Sequence, residues 1–346
     1  MRLTTKLAFA TIALALVATA CGSSSATSAT STGGSKLLVV VTDTPIGVNE
    51  FLKNAVLGAN NAAKAHGMTV RVFETSDPSQ LDNNVQAAVA VKPAVVIAVG
   101  FGLGDALAKE APANPNQQFL FVDACTPTAI PNVACVSFRE QEGVFLAGAE
   151  AGLLSNGVAT HFGDVLVLDT PRFRRYSTPF GAGAQLINSG SSLTTLIVGG
   201  SNPFSDPARA KEQALTLASQ GVTSIMAAAA AGNFGVFEAA KQKNLRVWGV
   251  DVNQCPSQPG FVVDNVVKRL DLVIPQGVDK ILSGHYGGSQ SYGLAEKGIS
   301  LTGLDSGVAS SQCLIAAHPD IITKLQSIRS DIISGKTHVL DPLTGS

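Results

Sequence analysis

The sequence predicts an α/β fold built on parallel β-sheets. Short runs rich in Val, Ile and Leu recur from residue 36 onward, longer segments of helical period separate them, and several runs are apolar throughout. A run without polar alternation is typical of a strand that helices cover on both faces, as in parallel sheets. The alternation of strand-like and helix-like segments therefore favours an α/β architecture.

The strands are predicted at residues 37–41, 70–73, 94–99, 119–122, 133–136, 165–168, 193–198, 224–228 and 247–250. Two helices have recognisable ends: one covers residues 51–65 before His66-Gly67, and the other starts at Pro207 with Asp206 as its N-cap. About nine strands allow one continuous sheet, but a chain of this length suits two smaller sheets better. If each sheet forms a separate lobe, we expect the chain to pass from the first lobe to the second near residues 137–143.

The start of the chain predicts export and a tether. Arg2 and Lys6 precede an apolar run at residues 7–17, and small residues lead to Cys21. This order is typical of a bacterial signal peptide, here residues 1–20. The cleavage site resembles the lipobox of lipoproteins, which makes Cys21 the lipid anchor and residues 21–35 a flexible spacer on the extracytoplasmic face of the cell membrane. A plain secretory signal with an incidental cysteine is the alternative.

Composition narrows the class of protein. The chain has 346 residues, of which 45% are apolar, 14% charged and 5% aromatic, with a formal net charge of -1. A balanced charge with few aromatic residues argues against a nucleic-acid surface, and no run after the leader approaches the length of a membrane span. The scattered histidines and cysteines lack metal-ligand spacing, so neither a metal nor another cofactor is expected.

Four cysteines remain once Cys21 is assigned to lipid, and export makes disulfides possible. Three pairings are possible. Cys125 and Cys135 flank a short segment, and Cys255 and Cys313 would then pair across the chain. A bridge that closes a loop of about ten residues stabilises a fold by roughly 2 to 3 kcal/mol. Free buried thiols are the alternative.

Carboxylates follow several predicted strands. Asp43, Asp123, Asp169 and Asp251 each stand at the end of a predicted strand, and Gly100 stands at the end of another. Ligands of open parallel sheets bind beyond the carboxyl ends of the strands, so this set predicts a shared cleft. Carboxylates there suit a ligand rich in O–H and N–H donors, such as a sugar or a nucleoside. Each Asp alone is also explained as a helix cap or turn residue.

Motifs for catalysis are not found in the sequence. It has no G-x-S-x-G elbow, no G-x-x-x-x-G-K-[ST] phosphate loop and no H-E-x-x-H. The glycine-rich run at residues 100–105 puts Asp105 where a dinucleotide-binding fingerprint needs a small residue. This pattern favours binding over catalysis, and we expect that the protein is not an enzyme.

Short strings spread along the chain resemble the basic membrane protein family. They are VGFGLGDAL at 99–107, FLFVD at 119–123, NVACVSFREQEGVFLAG at 132–148, FGAGA at 180–184, NPFSDPARAKEQA at 202–214, AAGNFGVFEAAK at 230–241, WGVDVNQ at 248–254, VVKRLD at 266–271 and IISGKTHV at 332–339. Members are lipoprotein receptors of ABC transporters, related to purine nucleoside receptors. The strings keep the family's order and span nearly the whole mature chain.

The resemblance implies a type I periplasmic-binding-protein fold, with two Rossmann-like lobes of parallel sheets joined by three hinge crossings. Lobe 1 would hold residues 36–137 and 252–283, and lobe 2 residues 138–251 and 284–346. The implied ligand-binding residues are Asp43, Phe51, Asp105, Phe204, Gly232, Asp251 and Lys268. Phe204 and Phe51 would hold a base between two rings, with Asp105 accepting hydrogen bonds from it. Asp251 and Lys268 would bind the sugar.

Two further roles and two departures complete this hypothesis. Asp43 would lie at the cleft edge, and Gly232 would let the backbone approach the ligand. Residues 48–52 keep the phenylalanine of the family's Asp-x-x-Phe-Asn segment but lack its two polar residues, for which Asn49 could substitute. Asp-Asn at 264–265 replaces the usual Thr-Ser and would alter contacts near the sugar.

The sequence thus predicts a lipid-anchored extracytoplasmic substrate-binding protein of an ABC transporter. It would work as a monomer, capture a nucleoside, in particular a purine nucleoside, by hinge closure, and deliver it to a membrane permease. Three alternatives stay open: a receptor of the same fold for a sugar or another small polar metabolite, a ligand sensor for a signalling partner, and an exported nucleoside hydrolase.

Overall fold

The computed structural model describes residues 36–346, which contain twelve β-strands and ten α-helices. The strands are β1 (Leu37–Thr42), β2 (Thr69–Glu74), β3 (Val95–Val99), β4 (Phe119–Val122), β5 (Val133–Phe138), β6 (His161–Leu166), β7 (Ser192–Ile197), β8 (Ser224–Ala228), β9 (Arg246–Asp251), β10 (Val262–Lys268), β11 (Ser289–Tyr292) and β12 (Ile299–Leu301). The helices are α1 (Glu50–Ala65), α2 (Leu81–Ala90), α3 (Gly104–Ala113), α4 (Glu140–Leu154), α5 (Pro171–Arg174), α6 (Thr178–Ile187), α7 (Pro207–Ser219), α8 (Asn233–Lys243), α9 (Leu270–Leu282) and α10 (Pro319–Ile333).

The strands form two six-stranded sheets. The first has the order β11-β5-β4-β3-β1-β2 and is parallel throughout. The second has the order β12-β10-β9-β8-β6-β7 and is parallel except for the pairing of β12 with β10. We call the first sheet with its helices lobe 1 and the second sheet with its helices lobe 2. The α/β prediction, with two parallel sheets, is confirmed.

The central strands are buried because helices cover both faces of each sheet. Every residue of β3 and β8 is buried, which explains why these runs carry no polar alternation. Helices α1 and α9 pack together in lobe 1, and α4 and α6 pack together in lobe 2. Helix α7 begins as predicted. The Asp206 carboxylate caps it by accepting a hydrogen bond from the Arg209 amide, and Pro207 is its first residue.

The chain passes between the lobes three times. It leaves lobe 1 between β5 and α4, returns between β10 and α9, and leaves again between β11 and β12. Hydrogen bonds join the crossings: the Arg139 amide donates to Tyr292 O at 2.9 Å, and the Arg269 amide donates to Gly298 O at 2.9 Å. The first crossing lies inside the predicted range 137–143.

All nine predicted strands are present, although the sixth covers His161–Leu166 and starts earlier than expected. Strands β10, β11 and β12 were not predicted. They also correct the lobe boundaries: residues 262–268 pair with β9 in lobe 2, and residues 289–292 pair with β5 in lobe 1. The physical reason is backbone pairing between distant segments: β10 lies between β9 and β12, and β11 forms the edge of the first sheet beside β5. The sequence pattern does not specify these pairings.

Two disulfides close loops beside the sheets. Cys125 pairs with Cys135, and Cys255 pairs with Cys313, with Cα–Cα distances of 5.2 and 5.0 Å. This is the expected pairing. Within residues 36–346, none of the helices is both long and apolar enough to span a membrane. The predicted signal peptide, the spacer and Cys21 lie outside the described residues.

Candidate functional site

A cavity lies between the lobes, at the carboxyl ends of strands from both sheets. Asp43, Phe51, Phe101 and Asp123 line it from lobe 1. The other charged and aromatic residues that line it come after the first crossing, and the last of them ends β10. They are Glu140, Arg172, Phe173, Tyr176, Phe204, Asp251 and Lys268. The cavity is where the parallel-sheet rule predicts a ligand.

Lys268 is the central cation of the cavity. It is the last residue of β10, and only 6% of its side chain is exposed. Its ammonium lies 2.6 Å from Asp123 Oδ1 and 2.9 Å from Glu140 Oε1. The same nitrogen is 5.0 Å from the centre of the Phe51 ring, within range for a cation–π contact. Lys268 therefore joins carboxylates on either side of the first crossing.

The carboxylates around Lys268 stabilise its charged form. Burial acts to lower the pKa of Lys268, but the carboxylates of Asp123 and Glu140 outweigh burial and hold that pKa well above its usual value. The side chains of Asp123 and Glu140 are only 11% and 4% exposed, and Lys268 is the cation that they share. Glu140 also pairs with Arg175 at 2.9 Å, and Asp123 lies 3.9 Å from Arg172. Breaking such a buried pair is costly, since it leaves an uncompensated charge.

Two of the strand-end aspartates adopt left-handed backbone conformations. Asp123 and Asp251 have φ of 77° and 73°, a region that Asp tolerates better than most residues. Asp251 ends β9 and lines the cavity from the lobe 2 side. Burial raises the pKa of Asp251 to about 6, although the charge of Lys268 acts in the opposite direction.

Asp43 follows β1 and is held by the loop after β3. Its Oδ2 accepts a hydrogen bond from the Gly102 amide at 3.1 Å. Gly100 has φ of +103°, and a Cβ at this position would come within 2.2 Å of the Asp43 carboxylate, so only glycine lets the two segments approach. Burial raises the pKa of Asp43 to about 6.

Aromatic rings from both lobes meet at another part of the cavity wall. The centre of the Phe101 ring, from lobe 1, lies 5.9 Å from that of Phe173 and 6.2 Å from that of Phe204, both in lobe 2. Phe173 and Phe204 are 5.8 Å apart. The guanidinium of Arg172 lies 5.0 Å from the Phe101 ring centre and donates to Asp123 O at 2.9 Å. These contacts are made across the cleft.

The structure brings together five of the seven predicted ligand-binding residues: Asp43, Phe51, Phe204, Asp251 and Lys268 all line the cavity. Asp105 does not, because it lies exposed in the first turn of α3, beyond the loop that reaches Asp43. Gly232 is buried against Ala210 and Ala229, and the neighbouring Ala230 lines the cavity in its place.

Two other expectations about the cleft are wrong. Asp169 is not in the cavity lining: it follows its strand at some distance and forms an exposed ion pair with Arg174, at 2.6 Å. Asp264 and Asn265 are buried in β10 away from the cavity. The Asp264 carboxylate accepts from the Gly303 amide at 2.9 Å, and the Asn265 side chain accepts from the Gln254 amide at 3.2 Å.

Sequence reasoning missed Phe101, Arg172, Phe173, Glu140 and Tyr176 as lining residues. A signal for Phe101 was available, since it follows Gly100 at the end of β3, the same position that predicted the aspartates. Arg172 and Phe173 lie in the short helix α5, and no strand-end pattern identifies them. Their place in the cavity depends on how lobe 2 faces lobe 1.

Two α/β lobes that three crossings connect, with a cavity between them, are the architecture of the type I periplasmic-binding fold. Solved structures share this fold. An ABC transporter solute-binding protein from Aeropyrum pernix K1 matches with a TM-score of 0.75 at 24% identity, over 87% of this chain and 92% of that one. Another, from Conexibacter woesei DSM 14684, has a TM-score of 0.71 at 18% identity, over 88% and 99%.

Sequence comparison identifies the family. A sequence model described as Bmp, ABC transporter substrate-binding protein PnrA-like, matches residues 36–337, and the chain belongs to this family. It is 26% identical over 363 residues to the ABC transporter nucleoside-binding protein BmpA of Lactococcus lactis subsp. cremoris, which covers 96% of this chain and 98% of that protein. It is 29% identical over 247 residues to Basic membrane protein D of Borreliella burgdorferi, 68% of each. The resemblance inferred from the sequence is confirmed.

Proposed function

We propose that this substrate-binding protein captures a nucleoside, in particular a purine nucleoside, between its lobes and delivers it to an ABC permease. The observation that carries the proposal is the division of the cavity wall. One part presents the rings of Phe101, Phe173 and Phe204, and another presents Asp251 and Lys268. A nucleoside has the same division, with a flat base joined to a sugar that carries hydroxyl groups.

Each half of such a ligand has matching chemistry. A ring stacked on a base contributes about 1 to 3 kcal/mol, and the aromatic part offers Phe101 from lobe 1 and Phe204 from lobe 2. Ionised carboxylates accept strong hydrogen bonds from hydroxyl groups, which suits Asp251. The relative from Lactococcus lactis is named a nucleoside-binding protein, which supports the same ligand class.

Capture works through the hinge. Phe101 of lobe 1 lies close to Phe173 and Phe204 of lobe 2, so a ligand held between the lobes would contact both lobes at once. Binding therefore favours the closed conformation by the difference in contacts between the open and closed states. The permease reads closure, and the ligand is released without any of its bonds being broken.

The predicted anchor at Cys21 belongs to the same proposal. A lipid there, followed by the spacer at residues 21–35, would keep a monomeric receptor at the extracytoplasmic membrane face. Tethering raises the effective concentration of receptor and permease for each other without any new contact. Mass spectrometry of the membrane-extracted protein tests this step, because acylated Cys21 would be its N-terminal residue.

A thermal-shift panel tests the ligand class. Purine and pyrimidine nucleosides, free bases and simple sugars are each added to the purified protein, and the melting temperature is measured. A ligand that binds the folded state stabilises it by RT ln(1 + [L]/Kd), so a purine nucleoside should raise the melting temperature most. Stabilisation by a sugar alone would favour the sugar receptor. Free base released during incubation would indicate a hydrolase.

A further inference from the structure

Buried charges connect the cavity to the C-terminal segment, residues 334–346. The Asp341 carboxylate accepts two hydrogen bonds from Arg175, from Nε at 2.7 Å and from Nη2 at 2.5 Å. The remaining nitrogen of Arg175, Nη1, donates to Glu140 Oε2 at 2.9 Å. Glu140 Oε1 then contacts the ammonium of Lys268 at 2.9 Å. One continuous series of bonds thus leads from the C-terminal segment to the central cation of the cavity.

Every member of this series is shielded from water. The side chains of Arg175, Asp341, Glu140 and Lys268 are 7%, 9%, 4% and 6% exposed. Water therefore cannot readily replace a missing partner, and each charge depends on its neighbour. Exposed pairs in the same part of the chain differ: the Lys336 side chain is 73% exposed where it pairs with Asp331.

The geometry assigns each oxygen of Glu140 to one cation. Asp341 occupies two nitrogens of Arg175, which leaves Nη1 for Glu140 and for Phe138 O, at 2.8 Å. Pairs of arginine and a carboxylate frequently form two parallel hydrogen bonds. Without the Asp341 charge, Arg175 would take both oxygens of Glu140 and displace the ammonium of Lys268.

We infer that Asp341 and Arg175 are positioning residues, which hold Glu140 so that Lys268 keeps its place in the ligand cavity. The effect on affinity rests on the proposed function, whereas the effect on Lys268 does not. The family match ends at residue 337, so Asp341 lies beyond the part of the chain that the family describes. The segment folds around this residue: the Leu343 amide donates to its carboxylate at 2.9 Å, and the Gly345 amide to its carbonyl at 2.8 Å.

Asp341→Asn tests the inference, because asparagine keeps the size of the side chain and removes its charge. The ¹⁵N resonance of the Lys268 ammonium is recorded by NMR in the ligand-free protein, and the affinity for a purine nucleoside is measured by calorimetry. Asp331→Asn is the matched control, since it removes an exposed pair beside the same segment. Asp341→Glu restores the charge.

We expect Asp341→Asn to shift the Lys268 resonance and to weaken nucleoside affinity about five- to tenfold, within the range for coupled neighbours. Asp331→Asn should change neither, and Asp341→Glu should return both toward the wild-type values. If Asp341→Asn fails to fold, Arg175→Lys serves instead, because lysine cannot bridge both carboxylates in this way.

If Asp341→Asn folds and its Lys268 resonance is not shifted, the inference is overturned. A C-terminal segment that only stabilised the fold would leave the Lys268 ammonium in place. If Asp341→Asn shifts the Lys268 resonance but the wild-type protein binds no nucleoside, the positioning role is supported and the proposed function is refuted. The two claims therefore fail separately.

Discussion

The charged and aromatic parts of the cavity wall are held in different ways. Lys268, Asp123 and Glu140 are held together by ion pairs at 2.6 and 2.9 Å. The rings of Phe101 and Phe204 touch across the cleft, with centres 6.2 Å apart and no directional bond. Buried charges depend strictly on their partners, whereas ring contacts depend mainly on contact area. Substitutions should therefore cost most in the charged part, and the following predictions rank accordingly.

Lys268→Met has the largest expected effect. It removes the cation that Asp123 and Glu140 share, so Glu140 keeps only Arg175, at 2.9 Å, and Asp123 keeps only the more distant Arg172, at 3.9 Å. This loss should destabilise the fold by about 3 kcal/mol, the lower end of the range for breaking a buried pair. Urea unfolding measures this loss, and calorimetry should detect little or no nucleoside binding. The control is Lys336→Met, which removes an exposed pair and should change stability by less than about 1 kcal/mol. Equal losses from the two variants would contradict the comparison.

Asp251→Asn should weaken nucleoside binding with little loss of stability. A hydroxyl left without its charged acceptor costs about 1 to 3 kcal/mol, or roughly 10- to 100-fold in affinity. The fold does not depend on the charge, because burial already raises the pKa of Asp251. Asp169→Asn is the control, since it changes another strand-end carboxylate that is 55% exposed and outside the cavity lining. Calorimetry that finds the same affinity for both variants would exclude Asp251 from the site.

Phe101→Ala tests the aromatic part. The loss of one ring from the cross-lobe contact should cost about 1 kcal/mol, close to fivefold in affinity. Phe73→Ala is the matched control, because both rings lie beside an arginine: Arg71 is 4.7 Å from the centre of the Phe73 ring, and Arg172 is 5.0 Å from that of Phe101. Phe73 lies on the outer side of lobe 1. Phe73→Ala should lower the melting temperature without changing affinity. A loss from Phe101→Ala larger than that from Asp251→Asn would reverse the ranking.

The affinity for a nucleoside should fall progressively as the pH is lowered. Burial raises the pKa of Asp43 and of Asp251 to about 6, so both carboxylates are ionised above pH 7 and become protonated below pH 6. Between pH 7 and 5, affinity should fall by about tenfold for each carboxylate that must be ionised. The sign for stability is opposite: the folded state holds these protons more tightly than the unfolded state, so their contribution to stability decreases as pH rises from about 4 to 6. Calorimetry and melting curves from about pH 4 to 8 separate the two trends.

Much of the charged part of the cavity could be predicted from sequence. Asp43 and Asp251 follow apolar runs, and the rule for parallel sheets places such residues together. Asp105 was misplaced because a similar string does not specify which way the first turn of a helix points. Asp169 fails for a related reason, since it follows its strand by three residues and turns to Arg174.

The rest depends on contacts between distant residues. Strand β10 escaped prediction because Asp264 and Asn265 interrupt its apolar run, yet both are buried and bonded to residues far along the chain. The aromatic contact needs Phe101 and Phe173 to face each other from different lobes. A pattern read along one strand at a time carries no information about either pairing.

Calorimetry with a nucleoside and its two separate parts tests the central claim most directly. Inosine, hypoxanthine and ribose are titrated into the purified protein under the same conditions. If one ligand spans the aromatic and charged parts of the cavity, inosine should bind at least about 100-fold more tightly than either part, because joining the parts avoids a second loss of rotational and translational freedom. Ribose binding as tightly as inosine, or no binding of any purine nucleoside, would contradict the account.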